Sequence, residues 1–295
     1  MVKYELPFNF DLNLLNFIDD NIDKDWIEFL FLSPFKDDSS NARSHVEGVA
    51  KSNWTYTVPN SRDDYTNFIK EIQKHGIKPA ILFQEDTPIA SNILDYYLKL
   101  GIDSFIVNSD ELAKNIKKID SKLKVVASIT KILSAKDLWE NDYSMYDKIV
   151  LHFPFNRALC KLKELPSFYK YTLIANSYCV YNCKSAKDHW SSTKETSSKV
   201  PCLKNINKDD LIYIPPEYIY MFEPYVDSFK IQGREYPTNI LSEEIYCYYK
   251  KIHNPLAGAI YNRLSPFNGC EYFNKGKDLE FVNYNNPHSG LPHPA

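Results

Sequence analysis

Glycine is scarce, with eight residues in 295, and none sits in a G-x-G-x-x-G after the first predicted strand, which removes the usual reason to choose a dinucleotide-binding fold. No G-x-S-x-G and no H-E-x-x-H occurs, so the nucleophile elbow and the zincin helix both lack their signatures. No window approaches the roughly 20 apolar residues that a membrane-crossing helix needs. The stretch from Met1 to Leu15 lacks the basic start, apolar run and small-residue cleavage site of a secretory leader, so a cytoplasmic location without a membrane partner is expected. Charge of one sign is also missing: Lys+Arg 35 against Asp+Glu 38 leaves a net charge of -3. That balance gives no global drive toward nucleic acid, although a local basic patch stays open.

What is present is ordinary globular material, 44% hydrophobic and 25% charged, rich in Lys, Asn, Ile and Tyr as in AT-rich bacterial coding sequence. Short apolar runs alternate with amphipathic segments, and each run reads as a parallel strand buried on both faces. Eight such runs are expected, at Ile27–Leu32, Pro79–Phe83, Asp103–Val107, Leu123–Ser128, Lys148–Leu151, Tyr171–Ala175, Leu211–Ile214 and Val226–Ile231. Between them, Arg62–Lys74 puts Tyr65, Phe68, Ile69 and Ile72 on one helical face, and Ile89–Leu100 does likewise with Ile93, Leu94, Tyr97 and Leu98. Asn108-Ser109-Asp110-Glu111 supplies polar capping residues for a helix through Leu112, Ile116 and Ile119. Further helices are predicted at Ala135–Glu140, Asn156–Leu165, Ala186–Trp190, Pro216–Phe222 and Thr238–His253. The repeat predicts an α/β fold, a single-domain (β/α)8 TIM-type barrel over 1–253, with an irregular extension over 254–295 that packs on the barrel or is partly disordered. An open doubly wound sheet is the structural alternative.

Two long polar excursions, Pro34 to Asn60 and Asn176 to Asp210, follow predicted strands, where barrel enzymes build their sites. The second carries Cys179, Cys183 and Cys202, three of six cysteines. In a reducing compartment such clustering points to metal or redox chemistry before disulfides. Thiolates suit iron–sulfur clusters and zinc, and a Cys-x3-Cys spacing lets two sulfurs converge on one centre. Ala186 stands where a radical S-adenosylmethionine loop would need its third cysteine. His189 would complete a Cys3His zinc set, whereas a [4Fe–4S] cluster would take Cys270 as fourth ligand or leave one iron open. Cys160 and Cys247 fall inside predicted helices and read as core residues.

A second constellation ends the strands: Asn108, Ser128, His152, Asn156 with Arg157, Asn176, and Lys230 with Gly233 and Arg234. On a barrel these share one mouth. Any one of them can simply satisfy a turn, but Lys230, Arg157 and Arg234 together would give that mouth a positive field and suit an anionic substrate. Arg43 and His45 are read as loop residues, His288 and His293 as tail residues, and His75 as a helix C-terminal cation.

Several of these elements resemble the peptidase U32 (collagenase-like) family over roughly Ile77 to Tyr249. The likeness rests on IVNSDEL (Ile106 to Leu112), FNRAL (Phe155 to Leu159), the Asn176 to His189 cysteine loop and chiefly DSFKIQGRE (Asp227 to Glu235), which is similar to the family's KIEGR element. Gln232 stands in place of its glutamate. The resemblance implies a barrel with a [4Fe–4S] cluster held by cysteines, and oxygen-independent hydroxylation of an RNA base, a quinone precursor or another small metabolite. An electron donor is then required, and a paralogous partner chain is compatible with it. A U32-type peptidase and a non-catalytic cluster-bearing partner are the alternatives.

Overall fold

Parallel strands enclosed by helices need apolar residues on both faces, and the continuous runs found in the sequence supply them. A computed structural model describes residues 2–39, 59–84, 89–157, 159–177, 212–234 and 236–254. Its strands are β1 (Lys3–Pro7), β2 (Ile27–Leu32), β3 (Pro79–Phe83), β4 (Ser104–Val107), β5 (Lys124–Ala127), β6 (Lys148–Val150), β7 (Tyr171–Ile174) and β8 (Ser228–Lys230). All neighbours pair in parallel and β8 pairs back onto β1, so the sheet closes into an eight-stranded barrel. The TIM-type barrel expected from the run count is therefore present, and the open sheet is excluded.

One of the eight expected strands is a different segment. Ile212–Ile214 joins no barrel ladder; Ile214 N instead donates to Ala175 O at 2.8 Å and extends the end of β7. The eighth strand is β1, whose sequence KYELP carries a lysine, a glutamate and a proline and so lacks an apolar run.

Helices α1 (Leu12–Asn21), α2 (Arg62–Lys74), α3 (Ser91–Lys99), α4 (Asp110–Ile119), α5 (Ala135–Glu140), α6 (Leu159–Lys163) and α7 (Thr238–Lys250) connect or follow the strands. Their starts follow local chemistry. Ser61 and Ser109 accept from backbone N–H groups of the first turns of α2 and α4, and Ser134 with Asp137 forms a capping box on α5. Each such cap contributes about 1 kcal/mol. The helices turn Tyr65, Ile69 and Ile72 of α2 and Leu112, Ala113 and Ile116 of α4 toward the sheet. Pro216–Phe222 is a 3-10 turn over Pro216–Met221 instead of an α-helix, and Asn156–Leu165 divides into a 3-10 turn (Phe153–Arg157) and the short α6. Ala186–Trp190 and residues 255–295 of the expected extension lie outside the described residues.

Side chains alternate across each strand, so residues two apart share a face. The inward face forms its own apolar cluster, with Phe29 and Phe31, Ala80 and Leu82, Ile106, Val126, Val150 and Ile174. The outward face packs on the helices through Leu30, Leu32, Ile81, Phe83, Phe105, Val107 and Val125. A register shift between β1 and β2 pairs Tyr4 with Ile27 but Glu5 with Phe29. This bulge turns Glu28 toward the interior lysine Lys148.

Candidate active site at the barrel mouth

One or two positions beyond the strand ends, the inward positions become polar, after an apolar residue in every strand of this set but β8. Ser33, Gln84, Asn108, Ser128, His152, Asn176 and Gln232 each fall two residues past an inward residue: Phe31, Leu82, Ile106, Val126, Val150, Ile174 and Lys230 respectively. The mouth is thus a polar ring over an apolar floor, the arrangement from which barrel enzymes build sites.

The sequence-predicted residues divide by role. Asn176 ties β7 to β8: its Nδ2 donates to Gln232 O at 2.9 Å and its Oδ1 accepts from Gln232 N at 2.6 Å. Asn156 Nδ2 donates to Ile174 O at 2.6 Å and to Ile212 O at 3.0 Å. These two amides are structural clasps. Ser128 caps the 3-10 turn at Ile129–Lys131, and Lys131 Nζ donates to the Asn108 carbonyl at 2.8 Å. Gln84 Oε1, Asn108 Oδ1 and Asn156 Oδ1 are buried without a hydrogen-bond partner among the described residues, leaving acceptor capacity at the mouth. His152 is half-buried, and desolvation lowers its pKa to about 4, so its ring is neutral at physiological pH. Arg157 ends the 3-10 turn after β6. Cys179, Cys183, Cys202, Cys270 and His189 lie outside the described residues, as do Arg43, His45, His288 and His293.

Lys230 and Arg234 come together over one aromatic ring. Lys230 Nζ sits 3.8 Å above the centroid of Phe31, and the Arg234 guanidinium carbon 5.8 Å from it. Arg234 also donates to Ser33 Oγ. Between them Gly233 adopts a φ of 126°, and a Cβ there would meet the Tyr236 ring at 2.5 Å. Only glycine lets the chain turn here while Tyr236 stays packed.

Beneath the mouth lies an ionic network that sequence reading did not anticipate. Glu5 is completely buried; its Oε1 accepts from Lys148 Nζ at 3.2 Å, Thr172 Oγ1 at 2.9 Å and Ser228 Oγ at 3.1 Å. Lys148 also donates to Ser228 Oγ at 2.9 Å and to Glu28, so all three of its N–H groups are engaged. Glu5 Oε2 faces Lys230 Nζ at 3.8 Å, beyond hydrogen-bond reach. Two lysines, Lys148 and Lys230, thus draw on two carboxylates, Glu5 and Glu28, while Arg234 meets Ser33 and the Phe31 ring.

The two lysines respond oppositely. Burial acts most strongly on Lys148 and would lower its pKa, but Glu5 and Glu28 together hold it above the ordinary lysine value. For Lys230 burial prevails and lowers the pKa to about 7; Glu5 opposes this, while Arg234 and Lys148 reinforce it. The only sequence signal for this network is the placement of Lys148, Thr172 and Ser228 at inward positions of strands, where a polar residue demands a partner.

Among the described residues, no group of three or more His, Cys, Asp and Glu is arranged to hold a metal ion. Cys247 Sγ donates to Glu243 Oε1 at 3.9 Å and to the His253 backbone carbonyl at 3.7 Å, not to an imidazole. Cys247 is buried in α7, and burial pushes its thiol up to about 12, which makes it a core residue as its helical position predicts; Cys160 is half-buried. His75 caps the C-terminus of α2, as expected, with its Nδ1 2.6 Å from Asp19 Oδ2.

No protein-family model matches the chain, and no curated protein is significantly similar to it. Among solved structures, the U32 peptidase Mk0906 superposes with a TM-score of 0.54 at 13% identity, over 80% of this chain and 95% of its own. A tryptophan synthase from M. tuberculosis gives 0.47 at 8% identity, covering 85% of this chain and 92% of its own. A mutant tryptophan synthase alpha-subunit from Pyrococcus furiosus gives 0.43 at 12% identity, covering 84% and 99%. At such identities the likeness to the U32 peptidase is one of fold: a closed parallel barrel with its strand ends gathered at one mouth.

Proposed function

We propose that this protein is a barrel enzyme, a divergent relative of the U32 peptidases, that binds an anionic small-molecule substrate at the C-terminal mouth of its strands. The observation that carries this reading is the pairing of Lys230 and Arg234 over the Phe31 ring, where, among the described residues, cations outnumber the carboxylates that face them. Arg234 is the fixed charge, since a guanidinium is a permanent cation with a planar fork suited to carboxylate or phosphate. Lys230 adds a charge that titrates near neutrality. The apolar residues beside them strengthen both by excluding water.

The test uses inorganic phosphate and oxalate as probes in thermal unfolding. A ligand at about a hundred times its Kd stabilises the native state by about 2.7 kcal/mol, a rise of roughly 5 °C or more for a chain of this size. Arg234→Gln should remove that rise while leaving the far-UV circular dichroism unchanged. Equal rises in wild type and variant, or none in either, would overturn the reading.

We further propose, on the sequence resemblance, that Cys179, Cys183, Cys202 and Cys270 hold a [4Fe–4S] cluster, with a Cys3His zinc site through His189 as the alternative. What supports this is where the intervening segment is anchored: the chain leaves the barrel at Asn176 and Ser177, both buried, and returns at Ile212 against the same strand end. A cluster near the mouth would supply one-electron or Lewis-acid chemistry, as oxygen-independent hydroxylation requires. Protein prepared anaerobically should be brown and carry about four irons per chain. A colourless preparation holding zinc alone would sink the cluster.

A further inference from the structure

We infer that Lys230 is a nucleophilic amine that forms an imine with a carbonyl compound bearing an anionic group, with Glu5 beneath it as the proton carrier. The inference deepens the anionic-substrate reading and rests on it.

Two lysines enter the same buried network, and their bonding differs in kind. Lys148 has every N–H donor engaged, on Glu5, Glu28 and Ser228, as a lysine kept for structure should. Lys230 has a side chain 6% exposed and makes no hydrogen bond among the described residues; its contacts are the Phe31 face at 3.8 Å and Glu5 Oε2 at 3.8 Å. A buried ammonium with three unused donors is a poor structural element. A neutral amine with an unengaged lone pair is what carbonyl attack requires. The apolar surroundings desolvate Lys230, and Lys148 and Arg234 repel its charge, while Glu5 and the face of Phe31 favour the ammonium; burial prevails and brings its pKa to about 7. The second cation beside the amine is one of the recognised means of activating a lysine nucleophile.

Glu5 is built to serve both lysines at once. Oε1 is saturated by Lys148, Thr172 and Ser228, which fix the carboxylate. Oε2 has no hydrogen-bond partner and points to Lys230. A movement of the Lys230 side chain that closes this 3.8 Å separation to hydrogen-bond distance lets Oε2 take the proton that the ammonium must lose. The amine lone pair then forms the C–N bond to the carbonyl carbon as the C=O π bond opens, and the oxygen takes up the proton shed by nitrogen. Glu5 returns its proton to the carbinolamine hydroxyl, which leaves as water as the C=N bond forms. Lysine ammonium plus carbonyl gives a protonated imine plus water, with Glu5 regenerated as the carboxylate and without oxidant or reductant. Arg234, against the same Phe31 ring, holds the anionic group of the substrate.

The experiment incubates the full chain with pyridoxal 5′-phosphate, an aldehyde carrying a phosphate, or with pyruvate, then reduces with borohydride and maps the adduct by mass spectrometry. The expected result is one equivalent on Lys230, competed by inorganic phosphate and absent in Lys230→Arg, with a labelling rate half-maximal near pH 7. Exposed lysines such as Lys74 and Lys136 should label only more slowly and without phosphate protection. If phosphate still raises the melting temperature but no adduct forms on Lys230, or the label falls on Lys148, the imine is wrong and the anion site stands. Loss of both phosphate binding and adduct removes the two readings together.

Discussion

The interior of this barrel is two halves with different physics. From β2 to β5, Phe29, Phe31, Ala80, Leu82, Ile106 and Val126 form an apolar wall, with Ser104 the buried polar residue on its inner face. From β6 through β8 to β1, Lys148, Thr172, Ser228, Lys230 and Glu5 stand among Val150 and Ile174. The apolar wall stabilises by area removed from water. The ionic wall is close to neutral for stability at best, because desolvating charges offsets most of their attraction. A charged network that adds little stability beneath the mouth accords with the proposed site, whereas the apolar wall accounts for stability by itself.

The strongest way to break this division is to remove the hub of the ionic wall. Glu5→Gln leaves Lys148 and Lys230 without their shared carboxylate, and should cost about 3–5 kcal/mol in denaturant unfolding. Adding Lys148→Met should restore more than half of that loss, because the penalty is an unpaired buried charge. If Glu5→Gln were no worse than a surface change, the network would not be buried as described.

Next in size is the pH dependence of Lys230. Its folded pKa of about 7 lies below the ordinary lysine value of about 10.4, so between these limits the unfolded chain binds more protons and stability rises with pH. The slope approaches 1.4 kcal/mol per pH unit where the difference is a full proton, roughly 2–3 kcal/mol from pH 8 to 10. Lys148 has the opposite sign: its pKa is raised, so its contribution is complete below the ordinary lysine value and is lost only above it. Unfolding of wild type and Lys230→Met at pH 7, 8, 9 and 10 checks this. The rise should flatten in the variant, and an equal rise in both would assign it to other groups.

The strands of both walls were legible in the sequence apart from β1, but the ionic pairing inside the second wall was not, for one physical reason. An apolar run reports burial on both faces, so β2, β3 and β4 stood out. The same signal marked Leu211–Ile214, where Ile212 and Ile214 are just as buried but outside the ladders. It missed β1 because Glu5 points inward with a charge whose partner, Lys148, is 143 residues away. Such a pairing follows from closure of the barrel, which no local pattern encodes. At the mouth, the inward set Asn108, Ser128, His152, Asn176 and Lys230 could be read from alternation, but the clasp between Asn176 and Gln232 and the shared Phe31 ring could not.

Two smaller substitutions sharpen the boundary between the walls. Gly233→Ala forces a Cβ against the Tyr236 ring at a φ that L-residues rarely adopt, and should cost roughly 1–3 kcal/mol. Because Gly233 sets the approach of Arg234 to Ser33 and Phe31, phosphate affinity should fall further than stability alone explains. Ile106→Val, in the apolar wall, removes one methylene from a packed cluster and should cost about 0.5–1.5 kcal/mol. It should leave phosphate binding and Lys230 labelling as in wild type, since Ile106 belongs to the wall opposite the charges. A change in either readout would mean that the apolar wall also shapes the site, and that the halves are coupled through the floor of the mouth.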